Sequence, residues 1–147
     1  MPTYQLAQLN LAQMKFPMDD PAMADFVARL DAINALADRA AGFVWRLQTD
    51  EGDATAIDHF GADKLVNMSV WQDLDSLHHY VFRSAHNQVM ALRKQWFERM
   101  GEVYSVLWWV EAGHLPTLQE AGTRLDHLRQ HGASAFAFSF KQAFPPE

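Results

Sequence analysis

Leu65-Val-Asn-Met-Ser-Val-Trp71 decides how the rest of the chain is read. Val66, Met68 and Val70 point one way; Asn67, Ser69 and Trp71 point the other. Alternation with a period of two over seven residues is a strand signal. One face is apolar, while the other mixes small polar groups with an aromatic ring, as the wall of a ligand site does. After a polar break the chain continues through Phe82-Arg-Ser-Ala-His-Asn-Gln-Val-Met90 to Trp96-Phe-Glu-Arg-Met100. Here His86, Val89, Met90, Arg93, Trp96, Phe97 and Met100 recur at three- and four-residue spacings, the period of one helix face. A strand with a polar–aromatic face feeding a helix that carries an imidazole predicts a pocket between the two.

Working toward the N-terminus, Tyr4–Met14 alternates loosely, with Leu6, Gln8, Asn10 and Ala12 on one face and Ala7, Leu9 and Leu11 on the other. Both faces are partly apolar, as expected of a sheet covered on both sides. Phe16-Pro-Met-Asp-Asp-Pro21 stops the strand, and Asp19 or Asp20 can cap a helix running to about Ala40. Its stripe is Met23, Phe26, Val27, Leu30, Ile33, Asn34 and Ala37. Phe43–Gln48 reads as a second strand and the acidic stretch Asp50–Asp63 as a long loop. Asp73 or Asp75 caps a short helix through Phe82, and Ser84 marks a break before the helix that ends near Met100. Toward the C-terminus, Val103–Val110 is a strand that places Trp108 and Trp109 on opposite faces. Thr117 then caps a helix to His131 with Glu120 completing a capping box, and Gly132 closes it. Ala135–Lys141 alternates Phe136, Phe138 and Phe140 as a last strand, and the Phe-Pro-Pro-Glu tail is expected to fray.

The order β-α-β-β-α-β followed by α-β predicts an α+β fold, a ferredoxin-like split β-α-β antiparallel sheet with an extra C-terminal helix and strand. The chain, residues 1–147, is read as one domain. Such a sheet leaves one face bare, and apolar residues on both faces predict a second copy covering it, hence a homodimer forming a dimeric α/β barrel.

Composition narrows the function. The formal net charge is −6 and no basic run is present, which argues against nucleic acid and anionic membranes. The absence of cysteine excludes disulfides, thiolate nucleophiles and cysteine-based metal sites. Met1–Met14 has neither a basic segment nor an unbroken apolar run, so no signal peptide is expected, and no stretch approaches a membrane span. The expected setting is cytoplasmic. No glycine-rich phosphate loop, nucleophile elbow or HExxH pattern is present.

Leu65–Trp71, Phe82–Met90, Trp96–Met100, Trp108-Trp-Val-Glu-Ala-Gly-His-Leu-Pro-Thr117, Ala7-Gln-Leu-Asn10 and Gly42-Phe-Val-Trp-Arg-Leu47 together resemble a bacterial domain-of-unknown-function family. That family is grouped with the dimeric α/β-barrel superfamily, which includes the antibiotic-biosynthesis monooxygenases. The resemblance covers essentially the whole chain and implies the fold and the dimer. Relatives of the fold include cofactor-free quinone-forming monooxygenases, polyketide cyclases, haem-degrading enzymes, chlorite dismutases and stress proteins, so the fold alone names no reaction.

The site residues expected from the sequence follow. His86 is placed as general acid or base toward a phenolic or enolic substrate, with Arg83 as anion contact. Asn10, Asn67 and Ser69 are polar anchors; Trp45, Trp71, Trp96 and Trp108 are walls; Arg93 is a further substrate contact or a structural ion pair. No cofactor is expected, haem with His86 as axial ligand being the alternative. No metal site is expected: His78 and His79 diverge, and the i, i+4 pair His127 and His131 is accounted for by the helix dipole. The function expected is monooxygenase-like or cyclase-like action on a small aromatic or polyketide-type molecule, against a non-catalytic ligand-binding or stress-related dimer.

Overall fold

The computed structural model describes residues 3–17, 19–47, 64–83, 95–98 and 103–146. Its elements are β1 (Tyr4–Met14), one 3₁₀ turn (Pro21–Met23), α1 (Ala24–Asp38), β2 (Phe43–Arg46), β3 (Lys64–Trp71), α2 (Leu74–Arg83), β4 (Phe97–Glu98), β5 (Ser105–Glu111) and α3 (Leu118–His131). The strands form one antiparallel sheet, curled around β1. β1 pairs with β3 from Leu6↔Trp71 to Gln13↔Lys64 and, on its other side, with β5 from Tyr4↔Glu111 to Asn10↔Ser105. β4 continues that second side at Gln13↔Glu98 and Met14↔Phe97, while β2 lies outside β3.

The caps follow the local chemistry. Asp20 accepts from Ala22 N–H ahead of Pro21, and Asp73 accepts from Ser76 N–H at the start of α2. Thr117 accepts from Glu120 N–H, and Gly132 ends α3 at φ 78°.

Each face of the sheet carries its own core. On one, Ala7, Leu9, Leu11, Val66, Met68, Val70, Val106, Trp108 and Val110 are closed over by Ala121, Leu125 and Leu128 of α3. These α3 positions fall at i, i+4 and i+7, and each buried leucine contributes about 1.5–3 kcal/mol. On the other face, Leu6, Trp71 and Leu107 pack with Ala37 of α1, Leu77 and Tyr80 of α2, and Phe138. A third cluster at the far end of that face joins Met23, Phe26 and Trp96 to the half-buried Met14, Leu30, Leu65 and Phe97.

Several expectations are corrected. The face inferred to need a second copy is closed by α3 of the same chain, so double-sided apolar strands do not by themselves require a dimer. The helix expected to reach Met100 does not include Phe97–Glu98, which pair with β1, while Trp96 is buried against Met23 and Phe26. Adjacent Trp96 and Phe97 satisfy helical spacing and strand alternation alike, and pairing with β1 decides between them. Ala135–Lys141 is no strand: only Leu107↔Phe138 and Ser139↔Gln142 bridge, Phe138 is buried and Phe136 is exposed. Nor is the tail loose at Phe144, whose carbonyl accepts from Trp109 Nε1 at 2.7 Å. Glu120 does not close a capping box through its side chain; it accepts from the buried Trp108 Nε1 at 2.8 Å and meets His114 Nε2 at 2.7 Å. Val27 is exposed, which narrows the buried stripe of α1. The expected loop at Asp50–Asp63 and break at Ser84 lie outside the described residues.

Candidate functional site

The register of β1 against β3 and β5 assembles a polar strip across the α1–α2 face. Gln8 stands opposite Ser69 and Leu107; Asn10 stands opposite Asn67 and Ser105. Above this strip along the strands lies the cluster of Leu6, Trp71 and Leu107, and below it the cluster of Met23, Phe26 and Trp96. Between them α1 presents Leu30, Ile33 and Asn34, all only half-buried. An otherwise apolar face is thus interrupted by amides and hydroxyls between its two apolar clusters.

The hydrogen bonds of the strip run in one direction. Gln8 Nε2 donates to Asn67 Oδ1 at 2.6 Å and to Ser69 Oγ at 2.8 Å. Trp71 Nε1 also donates to Ser69 Oγ at 2.8 Å. With its oxygen committed, Asn67 has an NH₂ that meets no acceptor among the described residues, and Ser69, accepting twice, keeps its own O–H as a donor. The exposed end of the strip is therefore donor-rich. Burial falls along it, from Trp71 (1% exposed) and Ser69 (6%) to an exposed Asn67.

Beside the strip, Arg46 stands opposite Ser69 and forks onto Asp38 of α1, at 2.8 Å to Oδ1 and 3.4 Å to Oδ2. Tyr80 packs on Trp71 with ring centroids 5.1 Å apart, and its hydroxyl donates to the Ile33 carbonyl at 3.3 Å. Burial pushes the Tyr80 phenol up to about 12, with Arg46 opposing and Asp38 adding to the shift.

The structure thus brings together Asn10, Asn67, Ser69 and Trp71, and sets Trp96 at the far end of the same face. It does not bring in Trp45 and Trp108. A bulge between Phe43 and Trp45 shifts the phase of β2, so Trp45 pairs with Val70 and packs in the α3-side core. Trp108 pairs with Ala7 and belongs to that core too. His86 and Arg93 lie outside the described residues, and for Arg83 only the backbone is described. Gln8, which orients both Asn67 and Ser69, was not singled out from the sequence. The available signal was a glutamine alternating in phase with Asn10 on a strand covered on both faces. Arg46 could not be placed without the bulge.

A separate cleft of about 390 Å³ lies at the other end of β1 and β5, lined by residues including Tyr4, Trp109, Glu111, His114, Glu120 and Arg124. It shares no residue with the strip. Burial of its guanidinium lowers the Arg124 pKa, and Glu120 counteracts this. Among the described residues no group of three or more His, Asp or Glu side chains is placed to hold a metal ion. No helix among them is long and apolar enough to cross a membrane.

The chain belongs to the family described as Domain of unknown function (DUF3291), which matches residues 5–147. No curated protein matches it. Solved structures similar to it include a protein of unknown function, NE2512, from Nitrosomonas europaea, at 18% identity and TM-score 0.48, with 80% of this chain and 99% of that one covered. PA3566 from Pseudomonas aeruginosa is similar at 12% identity and TM-score 0.48, covering 79% of this chain and 99% of that one. SnoaB, a cofactor-independent oxygenase from Streptomyces nogalater, is similar at 18% identity and TM-score 0.45, covering 79% and 98%. These likenesses are too slight to assign a function.

Proposed function

We propose that this member of the family binds a small, largely apolar molecule between the sheet and α1–α2 and acts on it as a cofactor-independent monooxygenase or cyclase. The observation that carries the reading is the donor-rich strip formed by Gln8, Asn67 and Ser69. Hydrogen-bond donors fixed in advance within an apolar setting favour an oxygen that gains negative charge during reaction. A phenol, an enol or the carbonyl of an aromatic polyketide-type compound supplies such an oxygen. For oxygenation, the enolate or phenolate form gives up its electrons to dioxygen. One oxygen atom ends in a new carbonyl and the other leaves as water, so the substrate supplies every electron. The strip's part is to stabilise the anion; Trp71 and Trp96 are apolar walls at its two ends. His86 is assigned the proton transfer and Arg83 the further anion contact, with Arg93 a second such contact or a structural ion pair, as the sequence led us to expect.

The same reading takes the strand order as the split β-α-β arrangement and the chain as a homodimer in a dimeric α/β barrel.

The test is oxygen consumption with an anthrone or quinol by wild type, Asn67→Ala and His86→Ala. Losing one donor to a developing oxyanion lowers turnover by roughly 10²–10³-fold. Wild-type turnover that Asn67→Ala leaves within a few-fold refutes the role of the strip. If wild type tightly binds such compounds with no oxygen uptake or product formed, the protein is a binder and the catalytic assignment fails.

A further inference from the structure

We propose that His127 and His131 form a two-imidazole clamp for a divalent transition-metal ion at the C-terminal end of α3. The residues are one helical turn apart, and their ring centroids lie 4.7 Å apart with the planes inclined by 47°. A metal held by one nitrogen of each ring at ~2.1 Å sets the centroids roughly 4.6–5.3 Å apart, for bond angles between square-planar and tetrahedral. The pair is therefore already spaced for chelation. His127 Nδ1 is buried with no hydrogen-bond partner among the described residues, and the proposal assigns Nε2 to the ion. His131 is exposed, which leaves room for water to complete the coordination shell.

The surroundings suit a cation. α3 ends at Gly132, and the last carbonyls of a helix carry its negative pole. Arg124, three residues before His127 on the same helix, is engaged elsewhere: its guanidinium lies 3.9 Å from the Phe136 ring centroid, and that ring lies 4.7 Å from His127. Arg124 is further engaged with the Phe136 carbonyl at 2.9 Å. Arg129 is two residues from each histidine, on the opposite side of the helix, where its Nε donates to the Val103 carbonyl at 2.7 Å. Imidazole is the ligand that Zn²⁺, Ni²⁺ and Cu²⁺ share, and they are the ions this clamp selects. Bound there, the ion staples the last turn of the helix that closes one core of the sheet.

The experiment is thermal unfolding and calorimetric titration of metal-stripped protein with Zn²⁺ and, separately, Ni²⁺. It compares wild type, His131→Ala and, as control, His114→Ala. His131 is exposed, so its alanine variant should match wild type in circular dichroism and in melting temperature without metal. The expected result is one ion bound per chain and a saturable rise in melting temperature, since the ion binds only the folded clamp. His131→Ala weakens binding by roughly tenfold or more, because the second imidazole no longer acts at high effective concentration. His114→Ala keeps both the rise and the affinity. Absence of a saturable rise in wild type, or an unchanged affinity in His131→Ala, overturns the proposal.

Discussion

Replacing Ser69 with alanine tests whether the strip is a connected network. Ser69 Oγ accepts from Trp71 Nε1 and from Gln8 Nε2, each at 2.8 Å. Trp71 is 1% exposed, so its indole N–H loses its acceptor with no solvent to replace it. A buried donor left unsatisfied costs about 1–3 kcal/mol. Gln8 keeps its bond to Asn67, so its loss is that of one ordinary hydrogen bond, about 0.5–1.5 kcal/mol. Together Ser69→Ala should lose roughly 2–4 kcal/mol, or a fall in melting temperature of roughly 5–15 °C for a domain of this size. The assay is urea unfolding at neutral pH, followed by tryptophan fluorescence and far-ultraviolet circular dichroism, whose coincidence checks two-state behaviour. A second variant separates network from packing. Trp71→Phe removes the indole donor, so Ser69→Ala made in that background creates no orphan there. The double variant should then be more stable than the sum of the single losses predicts, by about 1 kcal/mol or more. A Ser69→Ala loss below about 0.5 kcal/mol, or strict additivity with Trp71→Phe, refutes the network.

Two further outcomes are expected. Gly42→Ala should destabilise the fold by about 2 kcal/mol or more: Gly42 sits at φ 82°, where a side chain costs about 1–2 kcal/mol, and an added Cβ runs into the Ser76 side chain. Chemical denaturation of Gly42→Ala with and without Ser76→Gly checks this, since the second change relieves the collision and leaves the backbone strain. Tyr80 should make stability fall at high pH. Its phenol is at about 12 in the folded protein against 10.0 unfolded, so the neutral form is favoured by folding. That contribution is fully present below pH 10 and is lost between pH 10 and about 12, at roughly 3 kcal/mol in all. The unfolding free energy of wild type minus that of Tyr80→Phe, followed from pH 9 to 12, should fall by roughly 2 kcal/mol; a constant difference contradicts the assignment.

The alternation in Leu65–Trp71 and the capping residues carried most of the fold. Val66, Met68 and Val70 do share one face against Asn67, Ser69 and Trp71, and Thr117, Gly132 and Asp73 do bound their helices. What alternation cannot supply is the phase of one strand against another. The bulge at Phe43–Trp45 exchanges Trp45 for Arg46 on the α1–α2 face, and no residue type in that run announces it. Phe136, Phe138 and Phe140 misled for the opposite reason. Their period of two is real, but Phe136 stacks against Arg124 and His127 while Phe138 enters the core, with little ladder pairing to hold a strand. Asn10, Asn67, Ser69 and Trp71 were legible because each stands on the polar-bearing face of an alternating strand; Gln8 stands on the same face as Asn10 and was not singled out.

The strip is also where the chain departs from what folding alone asks of it. Leu6, Trp71 and Leu107 on one side and Met14, Leu65 and Trp96 on the other are apolar, and a continuous apolar face would pack α1 more closely. Instead the middle of the face carries two amides on β1, an amide and a hydroxyl on β3, and a hydroxyl on β5. Gln8, Ser69 and Trp71 satisfy one another, so the buried part of the strip costs little. Asn10 and Ser105 carry no side-chain hydrogen bond to a described residue, and the Asn67 NH₂ is in the same position. A network closed at its buried end and open at its solvent end is poor economy for a core and suits a binding wall. There the inner members hold the outer ones in place, and the outer ones meet no acceptor among the described residues.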